Sequence, residues 1–437
     1  MTTKSLWLAL AIAAAAPAPA LAADQAKPLA ADEYRLLPGA LLGKRLFEDT
    51  TLSEPGGLSC ASCHDPATAF RGNNHSSVSA VAAGSRPGVF GDRKVPSVMY
   101  MFYSPPFVFA PWPNDVTGEM EITPRGGQFW DGRAIALDDQ VQGPLLNPRE
   151  MNNPSKQAVV EKVRAGAYAS LARDVFGEDA FDAPDVFDKL ASAIASYEAT
   201  PRFKLFSSRF DDWLEGRTIL SDQEYRGFQA FIDKSKGNCL SCHDGGNPNE
   251  AYEGAPAPPA TRDPNAPLSR NPKDWFFTDF TYDVLGAPRN MAIADNADPA
   301  RFDLGLCKRP GIKDVAPENF DIESLCGAFK TPGLRNVAAG GPYLHNGVFA
   351  SLRDVVAFYF TRDTIPERWY PKGADGAVLK FNDLPARYRD NVNTKQVPYD
   401  RHPGESPRAD DADIDDIVAF LKTLTDAPFV EAAAGRH

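Results

Sequence analysis

The 437-residue sequence predicts a mainly α-helical protein of two domains with long loops. Three observations carry that expectation. Apolar residues recur at helical spacing in several segments, whereas strand-like alternation is scarce. The 38 prolines and 33 glycines exceed average use without forming low-complexity tracts, which suits ordered loops between helices. One short pattern, C-x-x-C-H, stands once in each half, as Cys60-Ala61-Ser62-Cys63-His64 and as Cys239-Leu240-Ser241-Cys242-His243.

C-x-x-C-H is the attachment signature of c-type haem. Two thiols add across the vinyl groups of one porphyrin, and the adjacent imidazole reaches its iron as proximal ligand. A zinc knuckle would want two more ligands at short spacing, and a C-x-x-C redox pair a βαβ setting. Neither is evident in the sequence. Two covalently bound haem c groups follow, with Cys60, Cys63, His64 and Cys239, Cys242, His243 as their attachments. The architecture expected is two cytochrome c-like haem domains, 23–200 and 201–430, between a leader at 1–22 and a tail at 431–437.

The leader reads as a secretory signal peptide. Lys4 supplies its positive start, Leu6 to Ala16 an apolar run, and Ala20-Leu21-Ala22 a small-residue cleavage site. The run is too short and alanine-rich to span a bilayer, so no membrane span is expected after cleavage. Covalent haem in an exported chain places the protein in the periplasm.

Helices are expected in order along the chain. Pro38 to Phe47 forms one that leads into the first haem motif. Pro154-Ser155 opens another, with Val159, Val160 and Val163 on one face. Val186 to Thr200 repeats the spacing with Leu190, Ile194 and Tyr197, and stops before Pro201. In the second half Ser221-Asp222-Gln223-Glu224 is a capping box, followed by Tyr225, Phe228, Phe231 and Ile232 on the way to Cys239. Gly245 to Pro272 reads as a long surface loop. Ser351 to Tyr359 is a further helix, and Asp410 to Leu424 the last, with Ile414, Ile417, Val418 and Leu421 inward.

The formal charge of −12 becomes −13 once Lys4 leaves with the leader. Nucleic acid and anionic membranes are poor partners for such a surface, and a basic or locally basic protein is easier to accommodate. Cys307 and Cys326 are not needed by the haems, and an oxidising compartment favours a disulfide between them over two buried free thiols. The loop closed is about 20 residues, worth roughly 3 kcal/mol if unstrained.

Reactivity depends on the far side of each iron. A second strong ligand makes an electron carrier, and an open site with polar groups makes a peroxide or oxygen enzyme. Among the remaining histidines, His75, His345, His402 and His437, the last two are read as solvent-exposed.

Further motifs carry a family resemblance. Phe129-Trp130-Asp131-Gly132-Arg133-Ala134, Gln140, Gly143-Pro144 and Glu150-Met151-Asn152-Asn153 resemble the first-domain motifs of bacterial diheme cytochrome c peroxidases and MauG-type enzymes. Lys330-Thr331-Pro332-Gly333-Leu334-Arg335-Asn336-Val337 and Pro342-Tyr343-Leu344-His345-Asn346-Gly347 are similar to their second-domain motif. The likeness runs from about Leu36 to Thr425, in order, with both haem motifs in place.

The resemblance implies a peroxidase acting on H₂O₂. It places Gln140, Pro144 and Glu150 on the distal side of the first haem, with Glu150 as general acid/base. Heterolysis of peroxide needs one oxygen to lose its proton and the other to leave as water, and a carboxylate above the iron can move that proton. It makes Trp130 an electron relay between the haems. Electron-accepting members carry a methionine fourteen residues after the motif histidine, and MauG-type members a tyrosine. Counted from His345, that position is Tyr359. Methionine raises a haem's potential, whereas a phenolate favours high oxidation states. The expected function is therefore a MauG-type peroxidase that oxidises an external donor or a residue of a partner protein. The alternatives are a cytochrome c peroxidase fed by a small cytochrome c or cupredoxin, and a diheme electron carrier without catalysis.

Three departures qualify the likeness. His75, the nearest counterpart of a gating loop histidine, has surroundings that do not match, so an open first haem is expected. The family holds calcium between its domains through an asparagine and backbone carbonyls. Here Lys94 takes the asparagine's place while Gly340 and Pro342 keep carbonyls, which leaves ion and ammonium both open. MauG-type enzymes use a tryptophan two residues before the second haem motif to oxidise a docked protein. Gly237 stands there, leaving Trp213, Trp275 and Tyr252 as alternative exits.

Overall fold

The helical spacings emerge as eleven α segments in the computed structural model, which describes residues 35–431 apart from 73, 79, 115 and 245–269. The leader 1–22, Tyr252, His437, most of the tail and most of the loop after Gly245 lie outside the described residues. The first half contains α1 (Pro38–Glu48), α2 (Cys60–Cys63), α3 (Leu137–Leu146), α4 (Lys156–Arg164), α5 (Ala169–Phe176) and α6 (Val186–Glu198). The second contains α7 (Arg209–Leu214), α8 (Asp222–Ile232), α9 (Ile312–Val315), α10 (Leu352–Thr361) and α11 (Asp411–Lys422). Strand is confined to two antiparallel pairs among the described residues. β1 (Val108–Pro113) runs against β2 (Met120–Arg125), and β3 (Tyr282–Asp283) against β4 (Phe329–Lys330).

Helix starts follow local chemistry. Ser155 and Ser351 each accept a backbone N–H from the third residue on, Ala158 and Asp354. The Ser221 hydroxyl accepts from the Glu224 N–H while Glu224 accepts from the Ser221 N–H, which closes a reciprocal capping box. Asp410 and Asp413 do the same for α11.

One packing device recurs in both halves. α1 crosses α6 at Gly43, where a Cβ would lie 1.9 Å from the Ala193 carbonyl oxygen. α8 crosses α11 at Gly227, where a Cβ would lie 1.9 Å from the Asp416 carbonyl oxygen. Glycine inside a helix costs about 1 kcal/mol, and here it lets two backbones touch. Each crossing helix then feeds its own C-x-x-C-H segment.

The cores divide accordingly. One gathers Leu42, Leu46, Phe47, Val160, Leu190, Ile194 and Phe203; the other sets lie mostly beyond Arg209, around Phe228, Phe277 and Phe420 and around Leu306, Phe358 and Tyr370. Phe276, Ala339 and Phe429 cross back into the first core, and Phe107 into the second. A disulfide joins Cys307 to Cys326 beside the Leu306 cluster. Among the described residues no helix is long and apolar enough to cross a membrane.

Candidate functional site

Each C-x-x-C-H segment folds so that two thiols and an imidazole can serve one flat ligand. α2 is a single turn opened by a Ser59–Ser62 capping box, which brings Cys60 and Cys63 to one face. The His64 N–H donates to the Cys60 carbonyl at 2.8 Å, and the His243 N–H to that of Cys239 at 2.7 Å. His64 Nδ1 bonds the Phe70 carbonyl at 3.2 Å, and His243 Nδ1 the Phe277 carbonyl at 2.9 Å. A carbonyl holding Nδ1–H fixes the tautomer and leaves Nε2 as the metal-binding nitrogen. Burial pushes both imidazoles down to about 4, so they are neutral, as a ligand must be.

None of the four motif cysteines is drawn into a disulfide. Burial pushes Cys63 and Cys239 up to about 12, the reverse of the lowered thiol a redox C-x-x-C pair uses. No group of three or more His, Cys, Asp or Glu gathers as a metal cluster among the described residues, which counts against zinc. A cavity opens beside Cys239, Cys242 and His243, walled largely by apolar groups such as Phe231, Leu334, Val355 and Leu421. These residues fit haem.

Around the first motif, Gln140 and Pro144 stand four residues apart on α3 and so share a face. Proline at 144 has no N–H to return to the Gln140 carbonyl. After α3 the chain turns sharply, with the Glu150 N–H bonded to the Asn147 carbonyl at 3.0 Å. The Ser85 N–H holds the Glu150 carbonyl at 2.8 Å, and Gly84 makes the approach possible: a Cβ there would meet the Arg149 oxygen at 2.4 Å. The carboxyl of Glu150 points inward with Oε2 buried and unpartnered. Burial pushes it up to about 7, against the opposing pull of Arg133. It acts electrostatically on both Cys60 and Cys63, so it belongs to the first site.

Trp130 lies between the two sites. It lines the second cavity, and its indole N–H donates to the Lys94 carbonyl at 2.8 Å. Two residues on, the Pro96 backbone is in hydrogen-bonding reach of His64. The Trp130 carbonyl accepts from the Lys330 N–H on β4 at 2.8 Å, so the tryptophan is pinned at both ends. Lys94 is 7% exposed, and burial with the neighbouring Arg71 charge pushes its ammonium well down. Arg71 donates to the carbonyls of Val337 at 3.1 Å and Gly340 at 2.9 Å.

Tyr359 lines the second cavity from α10 together with Tyr399, their rings 5.7 Å apart. Burial, then the Cys242 sulfur, pushes the Tyr359 phenol up. Among the described residues no methionine lines this cavity. His345 does, stacked at 3.5 Å on Phe329, with a buried, unpartnered Nε2 that stands 3.7 Å from Asp383.

Other sequence candidates fall elsewhere. His75 is exposed in a polar cleft with Asp65, Asn74 and Arg353, and His402 is exposed in its loop. Trp275 is buried at 2%, and Trp213 is half-buried. Sequence reading missed Glu198, a carboxyl on α6 that burial pushes up to about 8 and that acts on Cys60. Its signal was there: it stands four residues after Ile194, on the apolar face. Tyr399 carried no comparable mark, and Lys330 stood in the second-domain motif without a role assigned to it. Burial pushes Lys330 down to about 7, and its ammonium donates to the Gly127 carbonyl at 2.5 Å.

Comparison with known proteins agrees with this geometry. Residues 38–219 match the family model described as di-haem cytochrome c peroxidase. The chain is 34% identical to the methylamine utilization protein MauG of Paracoccus denitrificans, over 92% of this chain and 91% of that protein. It is 28% identical to the cytochrome c551 peroxidase of Nitrosomonas europaea, over 82% and 83%. Among solved structures it is similar to the diheme peroxidase BthA from Burkholderia thailandensis, with TM-score 0.77 and 41% identity over 90% of this chain and 87% of that one.

Proposed function

The chain belongs to the di-haem cytochrome c peroxidase family, and we propose that within it this is a periplasmic enzyme of the MauG type. Membership makes it a haem peroxidase, an oxidoreductase with peroxide as acceptor, and sets aside the carrier without catalysis. The observation that carries the finer reading is the lining of the second cavity, where Tyr359 stands among Cys239, Cys242 and His243 and no methionine is found among the described residues. When bound, haem supplies the iron at which peroxide is reduced and from which oxidising equivalents depart.

The chain's own residues do the rest. Cys60 and Cys63, and Cys239 and Cys242, would hold the two haem c groups covalently, and His64 and His243 would offer Nε2 to the metal. Glu150 takes the proton from one peroxide oxygen at its buried Oε2 and hands it to the oxygen that leaves as water. A carboxyl near pH 7 suits both halves of that transfer. Gln140 and Pro144 restrict and orient the space beside it. Trp130, held at both ends, passes electrons between the sites. Tyr359, which lines the second cavity, would offer its phenol oxygen to the second haem and so favour higher oxidation states there. Arg71 places positive charge and N–H donors at the seam, where it already uses the Gly340 carbonyl, and the buried Lys94 side chain fills the asparagine's place; these side chains take the place of calcium.

A second reading, a cytochrome c peroxidase fed by a small cytochrome c or cupredoxin, is favoured by His345, whose unpartnered imidazole nitrogen lines the same cavity. The ferric spectrum of the isolated protein decides. One high-spin and one low-spin haem, and reaction with stoichiometric H₂O₂ before any reductant is added, support the MauG-type reading. A second haem with two imidazole ligands, or no reaction until half-reduction, sinks it.

A further inference from the structure

The aromatic packing behind the second haem motif is graded from buried to exposed. Phe277, whose carbonyl holds His243 Nδ1, has its ring 5.5 Å from that of Trp275. Trp275 and Trp213 both rest on Phe210, at 5.4 and 5.5 Å, so one phenyl ring separates the two indoles. Trp213 in turn meets the Tyr225 ring at 6.4 Å. Trp275 is 2% exposed, Trp213 half-buried and Tyr225 45% exposed. Indole and phenol give up an electron at potentials a benzene ring does not reach. The tryptophans and the tyrosine can therefore hold a hole in turn, and Phe210 only fills the gap.

Two other aromatic sets adjoin the cavity and are less suited. Tyr359 and Tyr399 form a pair that ends inside the protein, since Tyr399 is 5% exposed. Phe358 leads to half-buried Trp369, whose ring carries the Arg368 guanidinium at 4.5 Å. A cation over an indole opposes loss of an electron from it. No cation stands over the Trp213 ring among the described residues.

We propose that Trp275, Trp213 and Tyr225 form the exit by which oxidising equivalents leave the second haem site, and that a one-electron donor is oxidised at the surface of α7 and α8. This rests on the reading that those equivalents reach the second site at all. The balance is simple. Reducing H₂O₂ to two waters takes two electrons and two protons. Each electron that refills Trp275 comes from Trp213 and then from Tyr225, whose hydroxyl proton passes to bulk water. The donor's electron restores Tyr225, which takes a proton back from water, and two passes balance one peroxide.

The test uses the holoprotein, one equivalent of H₂O₂, no donor, and a nitrone spin trap followed by peptide mapping. In the unaltered protein the trap is expected on Tyr225 or Trp213. Trp213→Phe and Tyr225→Phe are each expected to leave the rate of peroxide reaction unchanged and to slow the return to the resting spectrum by tenfold or more. Trp369→Phe is expected to change neither. Adducts on Trp369, or an unaltered return in both α7 and α8 variants, overturn the route. Peroxide reaction that never alters the second haem's spectrum overturns the parent reading instead, so the two failures are distinguishable.

Discussion

The indole N–H of Trp130 donates to the carbonyl oxygen of Lys94 at 2.8 Å, and this bond ties the wall of the second haem cavity to the segment beside His64. The link is covalently short: from Lys94 to Pro96 is two residues, and Pro96 reaches the imidazole. Trp130→Phe keeps an aromatic plane and loses both the N–H and the readily oxidised ring. Peroxide is expected to react with the first haem at a near-normal rate while the spectrum of the second no longer changes with it. Stopped-flow spectra of the holoprotein check this, and a synchronous response of both haems in the variant would remove Trp130 as relay.

Lys94 also bears on the seam between the halves. With Lys94 buried and its ammonium pushed well down, the positive charge built in at this seam is that of Arg71, bonded to the Val337 and Gly340 carbonyls. Exhaustive chelation is expected to leave the haem spectra, the peroxide reaction and the melting temperature unchanged, whereas Lys94→Ala shifts all three. Loss of activity on chelation, restored by calcium alone, would show that an ion holds this place.

Glu150 carries a carboxyl pushed up to about 7 by burial. As the group that accepts the peroxide proton it works in its deprotonated form. Peroxide reactivity is therefore expected to rise with pH through about 7 and then level off. Glu150→Gln should abolish that rise and slow the reaction by about 10²–10⁴-fold. A variant with the parent's rate would remove the acid/base role.

How much of this was legible in sequence depends on whether the signal is local. The C-x-x-C-H segments and the Ser221 and Asp410 caps declare themselves because thiol, imidazole and carboxyl act on neighbours within a turn. Glycine at 43 and 227 was visible as a helix-interior residue, yet its meaning requires the opposing carbonyls of Ala193 and Asp416, far along the chain. Tyr399 reaches the second cavity only through tertiary contact, and no periodicity marks it; Lys330 stands in the second-domain motif, but its burial there is a tertiary fact. Trp275 and Trp213 stand side by side as alternative exits in the sequence, which says nothing of burial, and Trp275 lies at 2% exposure.

Glu198 was the legible residue that went unread, and it makes a stability prediction. Burial lifts its carboxyl from an ordinary 4.5 to about 8. Between those values the folded state keeps a proton that the unfolded chain has released, so stability falls as pH rises from about 4.5 to 8. Glu150 adds to the same slope up to about 7. Glu198→Gln is expected to flatten the decline in melting temperature between pH 5 and 8. A decline of unchanged steepness would mean that Glu198 titrates normally.

The ligand of the second iron separates a protein that stores an electron from one that shares a hole. Tyr359 brings a phenol that burial keeps protonated in the absence of a cation, so binding to iron must pull the proton off. That linkage gives a direct readout. In the parent protein the second haem's potential is expected to fall as pH rises, because the ferric form favours the phenolate. Tyr359→Met is expected to raise the potential by a sizeable part of the roughly 0.8 V that axial ligands span, and to abolish its dependence on that proton. The same variant should react with peroxide only after one-electron reduction. Spectroelectrochemistry at several pH values measures both effects. Tyr359→Phe serves as the control for packing, since it removes the oxygen without supplying sulfur. If both variants keep the parent's potential and pH slope, Tyr359 is not the ligand, and the MauG-type reading fails.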